Sequence, residues 1–236
     1  MNTFFQSTLN ASFSLQSTLA PLPKDPKDQG KSVAIASQAA GFTIGSFINF
    51  GMAFLTSMFI FFLIKERQVG AKHMQVVSGV GPVTYWLSTF MWDFVNYTFP
   101  SMLLLVVFVA YSKSPYLDDG RYALVILVLA LYGWAVLPFM YAIQFAFNSP
   151  PTGVVMVIVM NLFSGMVTTV TVTILKLPEL GQQALGDKLD WIFMSVFPNY
   201  NLVACFSNIY SNYLNTQTCE NIVCSQTKRS ACCPSK

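Results

Sequence analysis

The chain has 236 residues, of which 54% are hydrophobic, 15% aromatic and only 10% charged, with a formal net charge of +3. Soluble globular domains carry about 25% charged residues, so the composition names lipid as the solvent and excludes intrinsic disorder. The small, scattered positive charge excludes a nucleic-acid surface, which gathers Lys and Arg on one face or segment.

Residues 1–40 differ in composition from the rest of the chain. Asn2 to Leu19 is rich in Ser, Thr, Asn and Gln, Pro21-Leu-Pro-Lys-Asp-Pro26 is a stiff connector, and Lys24 to Lys31 is a charged approach to the membrane. No basic start followed by an apolar run is visible, so no signal peptide is expected. Asn10-Ala-Ser12 matches the acceptor pattern for N-glycosylation, which is confined to luminal or extracellular loops. Gly30-Lys-Ser32 ends like a phosphate-binding loop, but Asp25 stands where the first glycine of that loop belongs.

Gaps in the charge pattern locate the spans. No Asp, Glu, Lys or Arg occurs from Ser32 to Ile64, from Phe94 to Ser112, from Tyr122 to Leu175, or from Trp191 to Cys219. A hydrocarbon core of about 30 Å takes about 20 helical residues, which predicts spans over about 42–64, 83–111, 122–147 and 154–175. The last two share one gap, divided at Asn148-Ser-Pro-Pro-Thr-Gly153, where adjacent prolines end a helix. The fold class is therefore all-α, a polytopic membrane protein. Trp191 to Phe206 is apolar, too short to cross comfortably, and broken at Phe197-Pro198-Asn199, which predicts a re-entrant or interfacial hairpin, with a buried core helix as the alternative.

Lys65 to His73 carries three basic residues against one acid, whereas Lys113 and Arg121 are balanced by Asp118 and Asp119. By the positive-inside rule the first of these loops is cytoplasmic and both ends of the chain face the other side. Cys219, Cys224, Cys232 and Cys233 crowd the last residues, where a non-cytosolic tail pairs cysteines as disulfides with three possible connectivities. Against that side stand Lys228, Arg229 and Lys236 in the same tail. A zinc site is the cytosolic alternative, but the spacing is weak and no His accompanies it, so no metal is expected. His73 is the only histidine, which removes His-based triads and multi-histidine metal centres from consideration.

Within the spans, Asp93 is the one acid, and an acid facing lipid costs a few kcal/mol. Asn96 and Tyr97 follow on the same helical face, so the three form a polar stripe. The stripe either lines a path for lipid headgroups or makes a structural hydrogen bond to another span. Asn49, Gln144 and Asn161 read as interhelical glue, Gly41, Gly45 and Gly51 with Ser46 and Ser57 as close-packing positions, and Trp86, Trp92, Trp134 and Trp191 as interface anchors.

One ordered set of segments is specific. Lys65-Glu-Arg-Gln-Val-Gly-Ala-Lys-His-Met-Gln-Val-Val-Ser-Gly79, then Tyr85-Trp-Leu-Ser88, Met91-Trp-Asp93, Leu131-Tyr-Gly-Trp134, Pro138-Phe-Met-Tyr141, Asn161-Leu-Phe-Ser-Gly165, Leu189-Asp-Trp-Ile-Phe193 and Phe197-Pro-Asn199 closely resemble the second membrane half of ATP-binding-cassette transporters of subfamily A. The resemblance covers about residues 41–213 and is nearest to the branch of the lung-surfactant-type phospholipid exporter. It implies that residues 1–40 are the end of an extracellular or luminal domain, that residues 41–176 are the second to fifth of six spans, and that residues 177–236 are the extracellular hairpin and its cysteine-rich loop. It also implies that residues 65–75 form a coupling segment, with Lys65, Glu66, Arg67, Lys72, His73 and Gln75 meeting a nucleotide-binding domain. The first and sixth spans and the Walker motifs are missing, so the chain reads as a fragment, not itself an enzyme and without a cofactor of its own, ATP and Mg belonging to the absent domain. Its partners are then membrane lipid, that domain and the other membrane half of the same parent, and its location a plasma or endolysosomal-type membrane. The alternative from another class is a stand-alone four-span scaffold or small channel with an external disulfide loop, for which only the Asp93 stripe offers a polar pore lining.

Overall fold

The computed structural model describes residues 26–110, 114–117, 120–177 and 180–218, with side chains from Ile35 onward. Contacts divide the chain into residues 1–33 and 34–236, and the packing described below is that of the second unit. Asn10 and the cysteines Cys219, Cys224, Cys232 and Cys233 lie outside the described residues, so neither the glycosylation nor the disulfide expectation meets an observation.

All regular structure among the described residues is helical: α1 (Pro26–Gln68), α2 (Ala71–Val77), α3 (Pro82–Ala110), α4 (Ser114–Leu117), α5 (Arg121–Ile143) with a 3₁₀ turn (Gln144–Ala146), α6 (Pro150–Leu175), α7 (Gln183–Val196) and α8 (Pro198–Thr218). Four stretches are long and apolar enough to cross a membrane, Ile35–Gln68, Pro82–Ala110, Arg121–Ala146 and Pro150–Leu175. The chain is an integral, multi-pass membrane protein.

The helices run past the limits that hydropathy alone suggests. The expected end of the first span at Ile64 is only where its apolar stretch stops. The helix continues to Gln68 with Lys65 and Arg67 in its last turn, where cations complement the C-terminal dipole. The 34-residue stretch Ile35–Gln68 is about 51 Å long at 1.5 Å per residue, well beyond a bilayer core. Gly70, at φ +70, then turns the chain into α2. Likewise Pro150 and Pro151 open α6 as its first residues, because a proline at the first helical position loses only an N–H that has no partner there. The break between the third and fourth spans is thus shorter than the predicted residues 148–153.

Inside the bundle, α1, α5 and α6 meet around Ile60, Ile64, Val136, Leu137, Met140 and Val157, all fully buried. Higher in the bundle a polar seam joins the same helices. Asn49 donates to the Asn161 carbonyl at 3.4 Å and Asn161 donates to the Thr56 hydroxyl at 3.2 Å, so both asparagines link spans as read from the sequence. Gly165 makes room for the Asn49 amide, since a Cβ there would sit 2.4 Å from it.

The segment expected as a hairpin is two helices, α7 and α8, broken at Phe197. At the break Asn199 is buried and accepts a hydrogen bond from the Tyr132 hydroxyl of α5. Tyr132 lies eleven residues into α5, roughly 17 Å from Arg121 and about halfway through a bilayer core. From there α8 climbs antiparallel to α5: Phe206 packs on Tyr116 and Phe108, and Tyr213 receives the Arg121 guanidinium on its ring at 5.2 Å. The hairpin therefore lies along α5 from the level of Tyr132 to that of Arg121. Its second helix lies directly on α1, where a Cβ on Gly41 would meet the Ser207 carbonyl at 2.7 Å and one on Gly45 the Val203 carbonyl at 2.9 Å. Gly51, read as a packing position with them, meets nothing within 4 Å.

Outside the hairpin tip, Lys176 at the end of α6 pairs with Asp187, at 3.4 Å, and with Asp190 of α7. Asp190 also accepts from the Tyr200 hydroxyl at 2.6 Å. Burial alone lowers the Lys176 pKa, and the two carboxylates more than reverse this, leaving it raised. A raised lysine pKa stabilises fully below the ordinary value of 10.5 and fades as pH rises through the folded-state value. The tether is thus intact at neutral pH and loosens only on the alkaline side.

Candidate functional site

The loop between the first two spans is fixed to the bundle by its own charged residues. Arg67 donates to the Gln144 carbonyl at 3.1 Å and to the Phe147 carbonyl, and the Gln68 amide donates to the Asn148 carbonyl. These carbonyls close the C-terminal end of the third span, where helical acceptors lack intrahelical donors and a cation is favoured. Arg67 also stands over the Phe145 ring at 5.9 Å. The end of α1 and the turn from α5 to α6 are therefore stapled together. Glu66 accepts from the Tyr85 hydroxyl of α3 at 2.8 Å, tying the same loop to the second span. Lys65 is exposed beside the Phe61 ring.

No residue of α2 is buried. Ala71 and Lys72 are half-buried and turned to the bundle, while His73, Met74, Val76 and Val77 are exposed. Met74 is 69% and Val77 70% exposed, and Val69 just before the helix is 68% exposed. A short helix held between two spans thus presents an apolar outer face. Of the six residues that the resemblance assigned to coupling, only His73 and Lys65 point outward. Arg67, Glu66 and Lys72 are engaged with the bundle, and Gln75 lines the cleft described next.

Between α1 and α3 lies a cleft of about 700 Å³. Its polar wall comprises Glu66, Gln75, Ser88, Thr89, Asp93 and Asn96, and its apolar wall includes Leu55, Met58, Phe62 and Trp92. Ser88 and Thr89 spend their hydroxyl protons on the Tyr85 carbonyl, both at 2.9 Å. Asp93 is half-buried about 17 Å into α3 from Pro82, and accepts from the Tyr141 hydroxyl of α5 at 2.6 Å. Each carboxylate of the cleft is thus held by one phenol from a neighbouring helix. The carboxylate at this depth is tolerable because it faces protein and cleft, not bare lipid.

Asn96 joins Asp93 at the cleft, but Tyr97 does not. It is 1% exposed, its hydroxyl donates to the Leu129 carbonyl at 2.8 Å, and its ring occupies the space a Cβ on Gly133 would fill. The polar stripe splits because four residues advance the helix by 40° beyond a full turn, enough to carry Tyr97 from the cleft into the α3–α5 contact. Trp134 is likewise off the interface, packed edge-on against Phe90 deep in the span. Tyr85 and Tyr141, which hold the two carboxylates, had no signal in the sequence: nothing in the spacing pairs residues 66 with 85 or 93 with 141. Among the described residues, no group of three or more metal-ligating side chains comes together.

Four spans, a helical hairpin on one side and a short helix with an unburied apolar face on the other define a helical membrane domain of transporter type. The chain belongs to the ABC-2 family transporter protein family, whose profile matches residues 1–225. It is 41% identical over 179 residues to the phospholipid-transporting ATPase ABCA3 of Rattus norvegicus, covering 76% of this chain and 10% of that protein. Over 212 residues it is 32% identical to ATP-binding cassette sub-family A member 17 of the same species, covering 90% of the chain and 12% of the relative. The retinal-specific phospholipid-transporting ATPase ABCA4 of Bos taurus is 36% identical over 153 residues, 65% of the chain and 7% of the relative. The chain thus spans about a tenth of the length of these relatives.

Proposed function

We propose that this chain is part of the membrane domain of an ATP-driven lipid transporter, in which the loop from Lys65 to Val80 faces the cytoplasm and receives the motion of a nucleotide-binding domain. The observation that carries this is α2: a helix with no buried residue, apolar on its outer face, and joined to the two spans by the short links Val69-Gly70 and Ser78 to Gly81. An exposed apolar face on a charged loop fits a protein partner, and the staple from Arg67 transmits its displacement to the third and fourth spans as well. ATP and Mg would act in that domain, outside these residues. Phospholipid is the substrate class favoured by the names of the relatives and by a cleft with one polar and one apolar wall. The hairpin side, with both ends of the chain, would then be luminal or extracellular, in a plasma or endolysosomal-type membrane.

The test is to replace Met74 and Val77 together with Asp in the intact transporter. Delivery to the membrane should persist, because neither side chain packs in the bundle, while lipid-stimulated ATP hydrolysis falls at least tenfold. Stimulation at the wild-type level would remove the docking role.

A further inference from the structure

Lys72 lies on the inward face of α2, with its amine 3.9 Å from the Trp86 ring centre and 5.0 Å from that of Tyr85. Among the described residues, no carboxylate lies within ion-pair distance of it, the ion pairs being those of Lys176. A cation is therefore held by aromatic faces with its charge unneutralised. Trp86 also lines a groove of about 590 Å³ between the first turns of α3 and the last turns of α5, on a different face of α3 from the cleft. The groove wall is apolar, with Val83, Leu87, Phe90, Pro138 and Ala142, and Tyr141 stands beside Trp86 at 5.4 Å between ring centres. Both flanking helices are spans, so the groove opens to hydrocarbon while Lys72 sits at the headgroup level.

We propose that Lys72, Trp86 and the α3–α5 groove bind one anionic phospholipid, its phosphate pairing with the Lys72 amine and an acyl chain lying in the groove. Charge complementarity selects this occupant. An apolar trough inside a bilayer takes a lipid chain whatever the headgroup, but an unneutralised lysine at its rim favours a headgroup with net negative charge. No acid lines the groove: Glu66 and Asp93 both line the cleft on the other face of α3. The assignment rests on the cytoplasmic orientation of the loop, the side on which anionic lipids concentrate. The site is distinct from the cleft, yet Tyr141 touches both Trp86 and Asp93, so the bound lipid lies one contact from the carboxylate in the cleft.

The experiment uses the intact transporter in phosphatidylcholine nanodiscs holding a small fraction of phosphatidylserine with a photoreactive acyl chain. In a symmetric disc the outcome does not depend on orientation, so failure here is distinguishable from failure of the topology. Labelling should fall on residues 82–90 and 138–142, drop about fivefold in Lys72→Gln, the factor expected for one lysine near an anionic headgroup, and persist in Lys72→Arg. Leu87→Trp, which fills the groove, should abolish it with Lys72 in place. Should Lys72→Gln fail to elute as a single species, the wild-type protein decides. Added salt should lower phosphatidylserine labelling and leave that by a photoreactive phosphatidylcholine unchanged. Equal labelling by the two lipids, salt-independent labelling, or undiminished labelling of a well-folded Lys72→Gln would overturn the proposal.

Discussion

Arg67 shows what a single charge does when its target is distant in sequence. Its guanidinium binds carbonyls 77 and 80 residues downstream, so its loss leaves helix-end acceptors without their donor. Hydrogen bonds to a charged group contribute about 1.5–3 kcal/mol. Arg67→Gln should therefore lower the thermal midpoint of the purified protein and its yield at the membrane; an unchanged midpoint with lost coupling alone would return Arg67 to the partner interface. Gly133 is the complementary case. A side chain there would occupy the Tyr97 ring, and overpacking costs about 1–3 kcal/mol, so Gly133→Val should destabilise more than Tyr97→Phe, which removes a single interhelical bond of about 0.6–1.7 kcal/mol. The sequence marked Arg67 and Tyr97 as residues of interest because of their chemical type and position. It did not reveal what they touch, because helical spacing orders residues within one helix and says nothing of the facing one. That is also why Asp93 was legible as a residue needing a partner while Tyr141 was not legible as that partner.

Whole elements were easier to read than contacts. Each predicted span became a helix, since a bilayer core demands about 20 apolar residues whatever they pack against. Helix ends were less legible because hydropathy marks the limit of lipid contact, whereas the helix stops where its backbone does, at Gly70 or ahead of Pro150. Phe197-Pro198-Asn199 gave the hairpin away by its break, but its seat on α1 required Gly41 and Gly45 to be matched to carbonyls of Ser207 and Val203. Small residues admit close helix approach in membranes, and here the approach is to the second helix of the hairpin, not to one of the four spans. Gly45→Leu should push α8 off α1 and raise amide exchange across residues 199–207 at least tenfold, with α3 unaffected. Exchange at the wild-type rate would mean that the hairpin is held by its other contacts, those of Asn199, Phe206 and Tyr213 and the Lys176 tether. Lys176→Met is the control for that last attachment, and should raise exchange in α7 more than in α8.

At the scale of the molecule, the middle of the bundle is joined to the hairpin tip through one buried polar line. Asn161 donates to Thr56, whose hydroxyl interacts with that of Tyr132, and Tyr132 donates to Asn199 at the hairpin tip. On the loop side α1 is pinned to the α5–α6 turn by Arg67 and to α3 by Glu66. Interfaces of this kind shift between discrete packings and do not bend continuously. The cleft between α1 and α3 is where such a shift has space, since its walls are bridged at the loop end by Tyr85 and Glu66. Cysteines at Phe62 and Trp92, both lining the cleft, joined by a cleavable bifunctional maleimide should hold those walls at a fixed separation. Lipid movement by the intact transporter should then fall at least tenfold and return when the linker is cleaved. Full transport with the linker in place would show that the α1–α3 distance does not change in the cycle, and the path for lipid would have to lie on another face of the bundle.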